Sequence, residues 1–150
     1  INTINMGVLL VLAPCFGALS DRIGRKPLMI AGTLGILIFA YPLFRLMHHE
    51  SFAMVLSGQF GFAVLIAMVF GVYPATIAEL LPSKVRVSAM SMGYNLVLGI
   101  LGGTTPMIAV YLISRTHDDF SPAFYLMAAA GASLLVLLRM PETAKKPLQP

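Results

Sequence analysis

Five long apolar runs, separated by short polar links, dominate the hydrophobic pattern of the chain. The runs cover residues 1–19, 28–47, 52–78, 88–114 and 122–140. A helix needs about 20 apolar residues to cross the hydrocarbon of a bilayer, so each run predicts a membrane helix. Because the links between them are short, consecutive helices should be antiparallel neighbours. The pattern predicts an all-α integral membrane protein with a helical bundle.

The basic residues in the links predict how this bundle is oriented. Placing the first link and the C-terminal tail on the same side gathers eight basic residues there and leaves two opposite. The eight are Arg22, Arg25, Lys26, Lys84, Arg86, Arg139, Lys145 and Lys146, and the two are Arg45 and Arg115. Cytoplasmic loops carry the excess of Lys and Arg. The first link and the C-terminus should therefore be cytoplasmic.

Composition supports a membrane protein and excludes several other classes. The chain is 58% hydrophobic and only 11% charged, with a mean hydropathy of +0.87. Its net charge of +4 comes from loops rather than from one basic face, so nucleic-acid binding is not expected. Cys15 is the single cysteine, which excludes an internal disulfide. The chain begins with Ile and shows no signal peptide, and we expect it to be a fragment.

The first polar link, together with the helix end before it, has an unusual density of charges and turn-forming residues. Its distinctive members are Gly17, Asp21, Arg22, Gly24 and Arg25. A glycine lets two helices approach each other, and a carboxylate can accept hydrogen bonds from a helix N-terminus. The guanidinium groups can donate to carboxylates in pairs.

A second charged stretch, residues 73–86, should face the same compartment. Within it, Glu79 could pair with Arg22 or Arg25, and Asp21 could pair with Arg86 or with the N-terminus of the helix that begins near Ser88. Such pairs would hold the ends of neighbouring helices together.

The polar residues within the apolar runs are candidates for a substrate path. Thr104 and Thr105 lie between two glycines and Pro106, where the hydroxyl groups could satisfy carbonyls that an irregular helix leaves free. Interrupted helices often line transporter sites, but a simple proline kink explains the sequence equally well. The remaining candidates are Gln59, Tyr73, Tyr94 and Asn95. The glycines elsewhere in the runs are expected to serve helix packing.

The sequence shows no arrangement typical of an enzyme. It lacks a nucleophilic triad and a phosphate-binding Gly-Lys loop, and no catalytic residue, cofactor or metal is predicted. His48 and His49 are expected in a solvated outer loop rather than in a metal site. No ionisable residue occupies the centre of a run, so a proton carrier is not expected in this chain.

The charged link, with the pattern Gly-x-x-x-Asp-Arg-x-Gly-Arg-Lys-Pro, resembles the signature loop of the major facilitator superfamily of secondary transporters. The resemblance is to the C-terminal half of the family, and it is strengthened by residues 73–86 and by the Pro-Glu-Thr sequence at 141–143. In register with the family, the five runs would be its eighth to twelfth helices. Residues 92–106 and 122–127 resemble the metabolite:proton symporters, whose members carry citrate, dicarboxylates, shikimate, proline or betaine.

The resemblance implies a function and a set of gating residues. Asp21, Arg22, Gly24 and Arg25 match the family's cytoplasmic gating loop, and Glu79 and Arg86 match its partner segment. The implied function is proton-coupled uptake of a small polar metabolite, an organic acid above all, across a bacterial inner membrane. Because seven helices of the family fold are absent, the chain should not transport without its N-terminal half. The alternative is a non-transporting membrane scaffold or a truncated remnant.

Overall fold

The computed structural model describes residues 2–143, with side chains from Thr3 onward. Within this range five helical stretches are long and apolar enough to cross a membrane. They are Thr3–Ile23, Arg25–Met47, Phe52–Leu80, Arg86–Thr116 and Ser121–Arg139. The all-α membrane fold predicted from the sequence is therefore confirmed. Ile1, which begins the first predicted run, and Lys145 and Lys146, which contribute to the predicted orientation, lie outside the described residues.

The first two helices are joined by a single residue. Helix α1 spans Asn2–Ile23, helix α2 spans Arg25–Met47, and Gly24 lies between them with a φ of 120°. The predicted polar link at 20–27 is thus almost entirely helical. Glycine adopts such a backbone without the steric cost that a side chain would bring, so the chain reverses within one residue.

The third run is broken near its end. Helix α3 spans Phe52–Phe70 and helix α4 spans Tyr73–Leu80. At the break, a Cβ added to Gly71 would lie only 2.2 Å from the carbonyl oxygen of Ala13 in α1. The break therefore occurs where the backbone of α1 approaches too closely for any side chain.

The fourth run contains a π-helical turn. Helix α5 spans Arg86–Val97, the π turn covers Leu98–Gly102, and helix α6 spans Gly103–Thr116. The sequence predicts an irregularity at 102–106, and the observed π turn overlaps this range only at Gly102. Pro106, in the first turn of α6, lacks the N–H that would bond to the carbonyl of Gly102. π turns of this kind are frequent at functional sites.

Helix α7 spans Ser121–Arg139 and packs against α2, which also packs against α3. The predicted packing role of the glycines holds between α2 and α3: a Cβ on Gly35 would meet Leu65, and one on Gly61 would meet Leu43. Gly99 and Gly103 have no atom within 4 Å of such a Cβ among the described residues, so this role is not seen there.

Candidate functional site

Four charged side chains from three parts of the chain meet at one end of the bundle. We call this the charged end and define it by Asp21, Arg25, Glu79 and Glu142. Arg25 is at its centre: Nη2 lies 2.9 Å and Nε 3.2 Å from Oε1 of Glu79, and Nη1 lies 2.7 Å from Oδ1 of Asp21. Nη1 also donates to the hydroxyl group of the buried Ser20. One guanidinium therefore connects α1, α2 and α4.

The two ion pairs of Arg25 differ in their exposure to solvent. The side chains of Arg25 and Glu79 are only 12% and 18% exposed, whereas that of Asp21 is 61% exposed. Water and salt screen an exposed pair, which typically contributes between about 0 and 1 kcal/mol. The Arg25–Glu79 pair is the one that should hold helix ends together.

The sequence left two partners open for Glu79, and the structure pairs it with Arg25, while Arg22 is exposed. Asp21, in the last turn of α1, pairs with Arg25 at the start of α2. The Nε of Arg86 donates to the carbonyl oxygen of Leu81 at 3.1 Å, and α5 begins at Arg86 itself. A contact of Asp21 with Arg86, or with the start of α5, stays a prediction.

The two glycines of the signature stretch occupy crowded positions. A Cβ on Gly17 would lie 3.1 Å from the carbonyl oxygen of Gly71, so α1 and the break after α3 touch through their backbones. A Cβ on Gly24 would lie 2.9 Å from Oε2 of Glu142. Gly17 thus permits helix contact as predicted, and Gly24 leaves room for a carboxylate that arrives from the other end of the chain.

Glu142 contacts the beginning of α2. Its Oε1 accepts from the backbone N–H of Arg25 at 2.9 Å, and its Oε2 accepts from that of Lys26 at 3.1 Å. In return, Nζ of Lys26 donates to the carbonyl oxygen of Leu138 in the last turn of α7 at 2.9 Å. Each helix end thus receives the charge that its dipole favours.

Gln59 lies away from the charged end, in a contact between α1 and α3. Its Oε1 accepts a 2.5 Å hydrogen bond from Nδ2 of Asn5. The two amides line a cleft of about 330 Å³ together with Phe44 and Phe62, whose rings meet edge to face. This pairing satisfies part of the hydrogen-bonding need that a polar group has within a membrane.

Tyr73 and Tyr94 line a separate cleft of about 330 Å³ between α4 and α5. Tyr73 also lines a larger cleft of about 540 Å³, with mainly apolar walls, between α2, α4 and α7. Asn95 donates to the carbonyl oxygen of Ser91 in its own helix at 2.9 Å and is exposed. The two tyrosines are therefore brought together, while Asn95 is satisfied locally.

Thr104 and Thr105 bond to the π turn. Their hydroxyl groups donate to the carbonyl oxygens of Ile100 and Leu101 at 2.6 and 2.5 Å. The carbonyl oxygen of Ile100 also accepts from the backbone N–H of Gly103, so it is not left free by the irregular helix. Satisfaction of freed carbonyls by these hydroxyl groups therefore stays a prediction. The path candidates thus lie in three places, and their common role as a substrate path stays a prediction.

Sequence reasoning missed three contributors to these sites. Asn5 lies close to the start of the chain, and Gly71 is one glycine in an apolar run. Glu142 supported the family resemblance but received no structural role. A signal for it exists: α2 begins after a glycine, which has no side chain to cap the helix, so an acceptor must come from elsewhere.

Comparison with known proteins gives a family and several relatives. A family model described as Major Facilitator Superfamily matches residues 1–150. The glycine betaine/proline/ectoine/pipecolic acid transporter OusA of Dickeya dadantii is 34% identical over 97% of this chain and 30% of its own length. The proline/betaine transporters of Salmonella typhimurium and Escherichia coli are 34% and 32% identical, each over 95% of this chain and 30% of its own length.

The chain thus spans about 30% of the length of these relatives. No solved structure gives a significant match. The relatives are named as transporters rather than as enzymes. The five membrane helices, the charged end and the match over residues 1–150 agree, and the chain belongs to the Major Facilitator Superfamily.

Proposed function

We propose that the chain forms the eighth to twelfth helices of a secondary transporter for small zwitterionic solutes. The observation that carries this proposal is the match of 95–97% of the chain to relatives named for proline and betaine transport. Because the chain spans about 30% of those relatives, the activity belongs to the full-length protein that contains it.

The polar groups in the membrane helices favour a zwitterion over the organic acid suggested by the sequence. The candidates within the helices are amides, hydroxyl groups and phenols, and the ionisable residues lie near the helix ends. An organic anion needs a compensating cation when it leaves water, whereas a zwitterion carries no net charge. Neutral polar groups are therefore better suited to proline or a betaine.

We further propose that the charged end faces the cytoplasm and acts as a latch. The excess of basic residues on this side supports the orientation. The Arg25–Glu79 pair joins α2 to α4, so it would hold these helix ends together while the protein is open to the outside. Its loss would shift the population toward states open to the cytoplasm.

Uptake by the full-length protein in liposomes tests the substrate and the coupling. Labelled proline and glycine betaine should accumulate when the outside is made acidic, and a protonophore should abolish the accumulation. Labelled citrate and liposomes without protein are the controls. Citrate accumulation in place of betaine would favour the organic acid, and uptake that ignores the protonophore would contradict proton coupling. If none of the three solutes accumulates, the non-transporting scaffold is the better interpretation.

A further inference from the structure

Every backbone N–H group in the first turn of α2 has a hydrogen-bond acceptor, and for two of them the acceptor is one side chain that is distant in the sequence. The first N–H groups of a helix have no acceptor within the helix. Here the N–H of Gly24 donates to the carbonyl oxygen of Ser20 at 2.9 Å, and Pro27 has no N–H to satisfy. The N–H groups of Arg25 and Lys26 remain, and both donate to Glu142.

The segment that carries Glu142 is held in place at the charged end. The N–H of Thr143 donates to Oε1 of Glu142 at 3.0 Å, and Thr143 is only 5% exposed. Lys26 ties the same region to α7 through the carbonyl oxygen of Leu138. The carboxylate of Glu142 is thus a fixed cap for α2, with Gly24 leaving the space that it occupies.

We propose that Glu142 is a positioning residue for the ion pair between Arg25 and Glu79. Arg25 uses its N–H to bind Glu142 and its guanidinium to bind Glu79, so the cap fixes the backbone from which the guanidinium projects. The end of α7 is thereby coupled to the contact between α2 and α4. A role of this coupling in transport rests on the proposed latch, whereas the effect of Glu142 on the Arg25–Glu79 pair does not.

Hydrogen exchange tests the cap. The full-length protein in lipid nanodiscs is compared with Glu142→Ala and with the milder Glu142→Gln, which keeps one acceptor oxygen. In the alanine variant the amides of Arg25 and Lys26 should exchange about tenfold faster, the factor expected for loss of a helix cap. Glu50→Ala, at an exposed position in the outer link, is the matched control and should leave these amides unchanged. Equal exchange in both Glu142 variants and the parent protein would overturn the proposal.

A second measurement separates positioning from simple capping. The coupling between Arg25 and Glu79 is measured by a double-mutant cycle on the unfolding equilibrium. Expressed as the factor by which one partner changes the effect of the other on the unfolding equilibrium constant, it should be about thirtyfold. When the same cycle is measured in the Glu142→Ala variant, this ratio should fall below about fivefold. An unchanged coupling would overturn positioning even if exchange becomes faster. Neither readout involves uptake, so failure of the transport proposal is recognised separately.

Discussion

Removal of one partner of the Arg25–Glu79 pair should destabilise the bundle almost as much as removal of both. The perturbations are Arg25→Gln, Glu79→Gln and the double variant, which replace each charge by a neutral amide. Glu79→Gln leaves a guanidinium that is only 12% exposed without its main carboxylate partner. Arg25→Gln leaves a carboxylate that is 18% exposed, and it also removes the contacts to Asp21 and Ser20.

The expected magnitude follows from the exposure of the pair and its hydrogen bonds. Breaking a fully buried pair costs about 3–5 kcal/mol, while an exposed pair contributes between about 0 and 1 kcal/mol. Arg25 and Glu79 lie between these limits, and their two shortest hydrogen bonds, at 2.9 and 3.2 Å, involve charged groups. We expect each single variant to lose about 3 kcal/mol and the double variant about 4 kcal/mol. The coupling energy is then about 2 kcal/mol.

The assay is equilibrium unfolding of the full-length protein in mixed micelles, with all four forms measured under the same conditions. The Asp21–Arg25 pair provides a matched control because it shares the arginine but involves a carboxylate that is 61% exposed. A second cycle with Asp21→Asn should give a coupling of about 0.5 kcal/mol, which lies within the range for ion pairs with an exposed partner. If the coupling with Glu79 is no larger than the coupling with Asp21, the burial argument is wrong.

Two further predictions concern contacts of α1. Gly71→Ala should lower the unfolding free energy by about 3 kcal/mol, because the added Cβ would lie 2.2 Å from the carbonyl oxygen of Ala13. Gly93→Ala is the control: it has open space around it and should be neutral or slightly stabilising. Equal melting temperatures for the two variants would contradict this packing. Replacing either Asn5 or Gln59 by Leu should lower the unfolding free energy by about 1 kcal/mol, because each single change leaves one amide without its partner. Replacing both should lower it by less than the sum of the two single losses. Additive losses in thermal unfolding would show that the amides act independently.

Hydropathy was sufficient to predict the membrane helices, because a bilayer forces each spanning segment to satisfy its own backbone. It could not predict the break between α3 and α4. The run from Phe52 onward stays apolar through the break. The signal in the sequence is Pro74, a possible kink, because it lacks the N–H that would bond to the carbonyl oxygen of Phe70, where α3 ends. The close approach of the α1 backbone to Gly71 lies at the same place and could not be read from the sequence. The sequence also did not show that a single residue joins α1 and α2. Charges at 20–27 are typical of a loop, but they equally suit helix ends at the membrane surface.

The pairing of Glu79 was predictable in part, because complementary charges on one side of the membrane restrict the candidates to a few arginines. The choice of Arg25 over Arg22 was not, since it depends on which face of the turn approaches α4. The capping of α2 by Glu142 could not be predicted from the pattern of charges. It joins residues separated by 117 positions in the sequence, and only the packing of α7 on α2 brings them together.

The position of Glu79 itself argues that the charged end serves more than stability. Glu79 lies in the last turn of α4, where the helix dipole disfavours a carboxylate. A cation at this site would suit the helix end without any partner, yet the chain carries an acid that depends on Arg25 for its compensation. Such an arrangement is stable only while α2 and α4 are in contact, and it becomes unfavourable when they separate. Such a contact distinguishes a closed state, with the pair formed, from an open state in which both charges would have to be hydrated, as the proposed latch requires.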